Sequence, residues 1–327
     1  MARVLVAGKI HKDGMDVLTG AGFAIDQVPK LDTDMAPEVL AKADALLLRY
    51  GALSQANVEA MPALRIVSRH GVGCDGLPLD LLSTRGVPVT VVGPVNAVSV
   101  AEQTIALLLA VLKRIPAYDA AVRGGDWGLR DSLGARELSG RRMLVMGFGR
   151  IGREVARRAK AFDVDVAVYD PFVTAADIAA AGYDAVADWQ AALPDIDVLS
   201  VHVPLAPETR NLIGRAELAR MKPTAILLNA GRGGLIDEAA LFAELSGRMA
   251  AGGAGIDCFE TEPPALDNPL FGLQNVVLSP HSAALSAEAA QRMAVVAAQN
   301  IVAALQGKVD RRLVFNLAAL EAAGHEL

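Results

Sequence analysis

The chain is poor in the residues that build staples and metal centres. It has two cysteines and five histidines in 327 residues. Cys74 and Cys258 lie far apart and in no redox or metal motif, so no disulfide framework is expected and a cytoplasmic setting is the simpler reading. Positive charge is not in excess. The net charge is -6 and the pI about 5.4, which leaves no basic footprint for nucleic acid or an anionic membrane surface. The longest apolar run, residues 105–112, is too short to cross a bilayer, and the start Met1-Ala2-Arg3-Val4-Leu5-Val6-Ala7 reads as a first strand, not a signal peptide. Gly-x-Ser-x-Gly is absent, which removes the nucleophile elbow of the hydrolases. His202 has no second histidine or cysteine at metal-ligand spacing, so no metal is expected. Charge blocks and low-complexity segments are also missing.

What is present is an α/β grammar. Apolar residues make up 53% and charged residues 21%, a globular balance with length enough for two domains. Residues 4–7, 45–48, 66–68 and 87–92 read as strands separated by helical segments, which predicts mostly parallel pairing. Ser99-Val100-Ala101-Glu102 has capping-box spacing and predicts a helix starting there. A second series follows, with strands at 143–146, 164–169, 198–203, 225–228, 255–258 and 276–279. Helices are expected at 151–162, 175–181, 216–221, 237–245 and 287–305. This is the doubly wound pattern, whose ligands bind at the carboxyl ends of the strands.

Three motifs fall at such ends. Gly147-Phe148-Gly149-Arg150-Ile151-Gly152 lies between a strand and a helix, as a dinucleotide fingerprint must. There Gly147 permits the turn, Gly149 lets backbone approach a pyrophosphate, and Gly152 lets helix and strand pack. Asp170 closes the next strand, where a carboxylate accepts from ribose hydroxyls and repels a 2′-phosphate, so NAD is expected over NADP. Arg232, in Asn229-Ala230-Gly231-Arg232-Gly233-Gly234, can pair bidentately with a carboxylate. Asp237 is its structural partner or the cap of the next helix. His281, in Ser279-Pro280-His281, is an acid–base candidate, and Glu262, before Pro263, can stabilise its imidazolium.

With these residues in place, the chain resembles the D-isomer-specific 2-hydroxyacid dehydrogenase family, in its phosphoglycerate dehydrogenase-like branch. The resemblance runs nearly the whole length. It rests on Gly71-Val72-Gly73-Cys74-Asp75, Ser99-Val100-Ala101-Glu102, the 147–152 fingerprint with Asp170, Val201-His202-Val203-Pro204-Leu205, the arginine loop, Glu262-Pro263 and Ser279-Pro280-His281. It implies two Rossmann-like or flavodoxin-like α/β lobes with doubly wound parallel sheets and a cleft between them. Residues 1–98 plus about 287–327 would form the substrate-binding lobe, and 99–286 the NAD-binding lobe. It implies a small carboxylate substrate and a homodimer built through the NAD-binding lobes. Arg232, Glu262 and His281 match the family's catalytic residues. Gly71, Val72 and Gly73 match its carboxylate-holding loop, and Asn96 and Thr104 match cleft positions. His202, Val203, Pro204, Thr209, Asn229, Ala230, Gly231 and Asp257 complete the implied cofactor contacts. Arg49 and His70, with Tyr50 and Trp127, are candidates for the variable end of the substrate.

The chain departs from the family pattern at three places. Gly76 stands where asparagine is common. Ser282-Ala283-Ala284-Leu285 lacks the usual threonine. Arg49-Tyr50 replaces arginine followed by serine or threonine, which puts phosphoglycerate itself in doubt. The expected function is interconversion of a short D-2-hydroxy acid and its 2-oxo acid, of phosphoglycerate or hydroxypyruvate/glyoxylate type. A phosphite-type oxyanion dehydrogenase and a nucleotide-sensing protein-interaction scaffold remain alternatives.

Overall fold

Short runs of Val, Leu, Ile and Ala bounded by turn residues form parallel strands, and the polar and alanine-rich stretches between them form the crossovers. The computed structural model describes residues 1–31, 35 and 37–326. The chain divides into two compact units, Met1–Asn96 with Leu285–Leu327, and Ala97–Ala284.

The first unit holds β1 (Arg3–Ala7), β2 (Ala24–Val28), β3 (Ala45–Leu48), β4 (Ile66–Arg69) and β5 (Val89–Thr90), in the order β2-β1-β3-β4-β5. Every pairing is parallel. Residues of β3 are buried at all four positions, as a strand covered on both faces must be. β2 lies outside the expected strands. Its sequence, AIDQV, carries Asp26 and Gln27, which an edge strand tolerates and an apolar-run reading passes over. The expected strand 87–92 contracts to two residues because its end pairs differently. Thr90 bridges Val314 in antiparallel fashion, and the Val91 amide donates to Leu313 O.

The helix Ala287–Leu305 belongs to this unit although it comes late in the chain. Ser68 Oγ donates to Ala297 O at 2.9 Å, and Asn300 Nδ2 donates to Val91 O at 3.2 Å. Its contact with the helix Lys12–Gly20 is close enough that a Cβ on Gly14 would lie 2.6 Å from Ala294 O.

The second unit holds β6 (Arg142–Met146), β7 (Asp165–Tyr169), β8 (Asp184–Ala185), β9 (Val198–Val201), β10 (Ile226–Asn229), β11 (Gly253–Ile256) and β12 (Val276–Leu278). Their order is β12-β11-β10-β9-β6-β7-β8, and all pairings are parallel. From β6 the sheet grows one way through β7 and β8, and the other way through β9 to β12. The direction reverses between β6 and β9, so the switch point lies at their carboxyl ends. β8 is a two-residue exposed edge strand that no apolar run marks.

Two expectations are corrected here. The helix expected to begin at a Ser99 cap begins earlier and spans Ala97–Leu112. Ser99 lies inside it and its hydroxyl donates to Ala283 O at 2.6 Å, while Glu102 pairs with Arg158 at 3.2 Å. β11 ends before Asp257 and begins at Gly253, earlier than the apolar pattern suggests. Its glycines are there because the helix Ala97–Leu112 lies directly on the strand. A Cβ on Gly253 would sit 2.5 Å from Val111 Cγ1, and one on Gly255 2.8 Å from Leu107 Cβ. The helix Ile115–Arg123 has no buried residue, and Ile115, Val122, Trp127 and Leu133 are exposed around it. Among the described residues no helix is long and apolar enough to cross a membrane.

Burial makes one histidine of the first unit a reporter of pH. His70 is 7% exposed, and neither ring nitrogen has a hydrogen-bond partner. Burial, and then the charge of Arg49, push its pKa down to about 4, with backbone groups of His70 and Ala290 offsetting this in part. An unfolded histidine titrates near 6.5. Between the two values the unfolded chain holds the proton and the folded chain does not. Stability is therefore full above about pH 6.5 and is lost as pH falls through about 4, on the order of 3 kcal/mol when complete. Urea midpoints from pH 8 to 4 should fall less steeply for His70→Leu than for wild type. Parallel curves would remove His70 as a cause.

Candidate active site

In an all-parallel sheet every carboxyl end lies on one edge, so the loops following β6, β7, β9, β10, β11 and β12 gather there. The first is the glycine fingerprint. Gly147 has φ +89°, and a Cβ there would lie 2.7 Å from His202 O. Gly152 is closed to any side chain, since its Cβ would lie 1.9 Å from Gly147 O. Gly149 is the opposite case: a Cβ would meet nothing within 4 Å. It caps the helix Arg150–Lys160, whose first amides carry the positive end of the helix dipole. The three glycines thus form a turn, an open cradle and a tight crossing. That is the shape a dinucleotide pyrophosphate fits, and Phe148, Arg150 and Ile151 complete the loop.

Asp170 follows β7 and is tied to the same loop. Its Oδ2 accepts from the Phe148 amide at 2.7 Å, and its Oδ1 accepts from the Phe172 amide at 2.8 Å. Each oxygen keeps a further lone pair for a ribose hydroxyl. His202 follows β9 and its amide donates to Met146 O at 2.7 Å, which holds the chain against the fingerprint turn at the switch point. Its Nε2 lies 2.7 Å from Ser200 Oγ, and burial pushes its pKa down to about 4. Val203 and Pro204 continue this loop, and Thr209 closes it, accepting from the Ala206 amide and donating to Pro204 O.

Arg232 stands on the loop after β10. Asn229 shapes that loop: its Oδ1 accepts from the Gly231 amide at 3.1 Å and its Nδ2 donates to Arg232 O at 2.8 Å. Ala230 is buried there. Gly233 admits no side chain, because its Cβ would lie 1.7 Å from Phe259 O. The arginine loop is thereby pressed onto the segment that carries Glu262. Asp237 takes the second of its two expected roles, capping the helix Glu238–Ser246 through Ala240 N at 2.9 Å.

The expected pairing of His281 with Glu262 is formed. His281 Nδ1 lies 2.7 Å from Glu262 Oε2, and the other carboxylate oxygen accepts from the Phe259 amide at 3.0 Å. Burial raises the pKa of Glu262, but the His281 hydrogen bond, the Phe259 amide and the charges of His281 and Arg232 outweigh it, so the carboxyl is held below its ordinary range. The histidine ring remains partly exposed, at 44% of its side chain, so a substrate can reach it.

One role is only partly legible in the sequence. The resemblance puts Asp257 on the coenzyme side, but its carboxylate grips the His281 turn. Oδ1 accepts from Ser279 Oγ at 2.5 Å and from the Ser282 amide at 2.9 Å, and Oδ2 accepts from the Ala283 amide at 3.0 Å. The backbone carbonyl of Asp257 accepts from the His281 amide at 2.7 Å. His281 itself has φ +49°, which few non-glycine residues adopt without such support. The Asp-plus-Ser pairing of residues 257 and 279, one just past each of two adjacent strands, is the available signal.

Thr104 is fully buried and donates to Val100 O at 2.8 Å, a bond within its own helix. The remaining candidates other than Trp127 lie in the first unit. Gly71, Val72 and Gly73 follow β4, where Val92 N donates to Gly71 O and Arg69 Nε donates to Gly73 O. Arg49 stacks over Tyr50 at 4.5 Å and donates to Lys9 O. Asn96 is buried, at 4% exposure. Trp127 belongs to the second unit, with Arg130 over its ring at 5.9 Å.

A family profile described as the D-isomer specific 2-hydroxyacid dehydrogenase NAD binding domain matches residues 105–283. The chain belongs to the D-isomer-specific 2-hydroxyacid dehydrogenase family. A D-3-phosphoglycerate dehydrogenase of Archaeoglobus fulgidus is 37% identical over 326 residues, 99% of this chain and 61% of that one. One of Mycobacterium tuberculosis is 40% identical over 306 residues, 93% of this chain and 57% of that one. The chain thus spans about three-fifths of the length of these curated relatives. Among solved structures, a protein of Thermus thermophilus superposes with TM-score 0.87 at 32% identity, covering 94% of this chain and 98% of that one. An NADPH-dependent glyoxylate/hydroxypyruvate reductase of Sinorhizobium meliloti gives 0.82 at 30% identity, covering 94% and 96%.

For this 2-hydroxyacid dehydrogenase family chain the fingerprint makes a contrast that can be measured. Gly149 has φ -76° and open space around it. Gly149→Ala should leave the unfolding midpoint within about 0.5 kcal/mol of wild type but weaken NADH binding at least about tenfold. Gly152→Ala should cost about 2 kcal/mol or more of stability, because its Cβ meets backbone. Thermal unfolding with fluorescence titration of NADH separates the two. Equal effects of both variants on stability would refute the open-cradle assignment.

Proposed function

We propose that the protein is an NAD-dependent oxidoreductase that interconverts a short D-2-hydroxy acid and its 2-oxo acid. The observation that carries this reading is the 2.7 Å His281–Glu262 pair on the same sheet edge as the glycine fingerprint. The residues at 147–152 and Asp170 would hold the dinucleotide, which when bound supplies the two-electron redox chemistry at C2. Arg232 pairs with the substrate carboxylate and fixes its orientation as well as its charge. During reduction His281 gives a proton to the oxygen on C2, and during oxidation it takes that proton back. Glu262 stabilises the imidazolium and fixes the ring through Nδ1, leaving Nε2 to face the substrate. By resemblance, Gly71-Val72-Gly73 corresponds to the family's carboxylate-holding loop. The exposed Ile115, Val122, Trp127 and Leu133 support a homodimer through the NAD-binding units, which sedimentation equilibrium checks.

The deciding experiment is a panel of short 2-oxo acids, including hydroxypyruvate, glyoxylate and phosphohydroxypyruvate, each with NADH and NADPH. Reduction of at least one is expected, with NADH ahead at least about tenfold in kcat/KM, about 1.4 kcal/mol. The motivation is Asp170, a carboxylate where a 2′-phosphate would meet like charge. Equal use of both cofactors would mean that a cation such as Arg150 compensates. No turnover of any 2-oxo acid, with oxidation of phosphite instead, would move the protein to oxyanion chemistry.

The proton relay has its own test. Glu262→Gln keeps the shape of the side chain and removes its charge, so the imidazolium is less favoured. In the reducing direction the protonated ring is required, and the alkaline fall of the pH–rate profile should shift to lower pH. In the oxidising direction the neutral ring is required, and the rising limb should shift the same way. Turnover with deuterated NADH establishes that chemistry limits both profiles. Superimposable wild-type and variant profiles would leave Glu262 a loop-packing role beside Pro263.

A further inference from the structure

Cys258 lies two residues past β11 and is 2% exposed. Its thiol lies beside the acid–base pair. One ligand-capable atom each from Cys258, Glu262 and His281 lie within 4.8 Å of one another. Chain spacing alone conceals this set, because the three residues come from a loop and from the following strand's end. Metal-ligand spacing counted from His202 does not reach it.

We propose that Cys258, Glu262 and His281 form a three-ligand site for a thiophilic divalent cation such as Zn2+, and that its occupation and proton transfer at His281 exclude each other. The donor set is one sulfur, one carboxylate oxygen and one imidazole nitrogen, which suits Zn2+ or Cd2+ over Mg2+ or Ca2+. Ligand atoms around a tetrahedral zinc are about 3–4 Å apart. Closing the cluster to that size requires the His281 and Glu262 side chains to turn out of their present 2.7 Å contact, and both are partly exposed, at 44% and 36% of the side chain. Three protein ligands leave the fourth position to water or a substrate carboxylate.

The chemistry balances as a proton exchange. The thiol now donates to Gly231 O at 3.4 Å. The cation takes the thiolate sulfur and the thiol proton leaves to solvent. Burial holds that proton on the sulfur, with the charges of Asp257 and Glu262 adding to it and that of Arg232 opposing it. Asp257 and Glu262 also attract the cation, and Arg232 repels it. The imidazole binds as a neutral ring and gives up the nitrogen lone pair or the carboxylate contact that proton transfer needs. The inhibitory consequence rests on the proposed function, but the site itself does not.

The test uses the untagged full chain with its cysteines reduced. Titration with Co2+ should reach one equivalent with a thiolate-to-metal charge-transfer absorption, displaced by Zn2+ and not by Mg2+. The absorption should vanish in Cys258→Ala and Cys258→Val and persist in Cys74→Ala. With a competent 2-oxo acid, one equivalent of Zn2+ should lower turnover at least tenfold and a chelator should restore it. Cys258→Ala should turn over equally with and without Zn2+. Absence of a thiolate band, or a band that survives loss of Cys258, overturns the proposal. So does zinc inhibition of equal depth in wild type and Cys258→Ala. A thiolate band that depends on Cys258 in a protein with no metal-free turnover supports the site and overturns the functional reading instead.

Discussion

Asp257 has no exposed surface, and its carboxylate accepts from Ser279 Oγ and from the amides of Ser282 and Ala283 while its carbonyl accepts from the amide of His281. A buried carboxylate without partners would cost several kcal/mol, so this one holds its donors firmly. The chain from 279 to 283 must wrap around it. That wrap is what places His281 at φ +49°, a conformation costing on the order of 1 kcal/mol for a side chain with a Cβ. The strained residue is the one assigned the proton chemistry. Its geometry is set by charge-assisted hydrogen bonds from below and by Glu262 from the side, so the imidazole needs no packing above it and stays open to substrate.

A second constraint is how near backbone must come to backbone. At Gly147, Gly152 and Gly233 a methyl group would collide with a carbonyl oxygen, at 2.7, 1.9 and 1.7 Å. The first two set the nucleotide turn and the third clamps the arginine loop to the Glu262 segment. Gly149 has no such neighbour, so packing within the chain does not account for it. The dinucleotide proposed to approach that backbone would. The fingerprint therefore divides by cause: packing within the chain requires two of its glycines, and the third is assigned to the proposed dinucleotide.

This division explains what the amino-acid sequence makes legible. Strands covered on both faces, such as β3, β6 and β10, are apolar almost throughout and stand out as runs. Edge strands do not. β2 carries Asp26 and Gln27, and β8 is two exposed residues, so apolar periodicity has nothing to register. The start of the helix at Ala97 is hidden by a better local signal, Ser99 with Glu102. The serine instead bonds Ala283 O, 184 positions away in the chain, and tertiary pairing outcompetes a local cap. Arg232, Glu262 and His281 are legible one by one from residue type and position. That Asp257 and Ser279 act together is not, because two strands must become neighbours before the pair exists.

The same adjacency gives Cys258 its significance. β11 and β12 pair in parallel from Ala254 with Val276 to Ile256 with Leu278, so the loops beyond them leave the sheet side by side. Asp257 grips the His281 turn from one of these loops, and the next residue brings its sulfur near the ring that the turn carries. Buried thiols usually act as small apolar fillers. This one lies close to the carboxylate that bonds His281, one residue from the carboxylate that holds the His281 turn. The proposed soft-metal affinity would follow from the arrangement assigned to the proton chemistry: an open imidazole, a nearby anion and a rigid turn. A sulfur added to that set alters what can bind without displacing any group assigned to the proton chemistry.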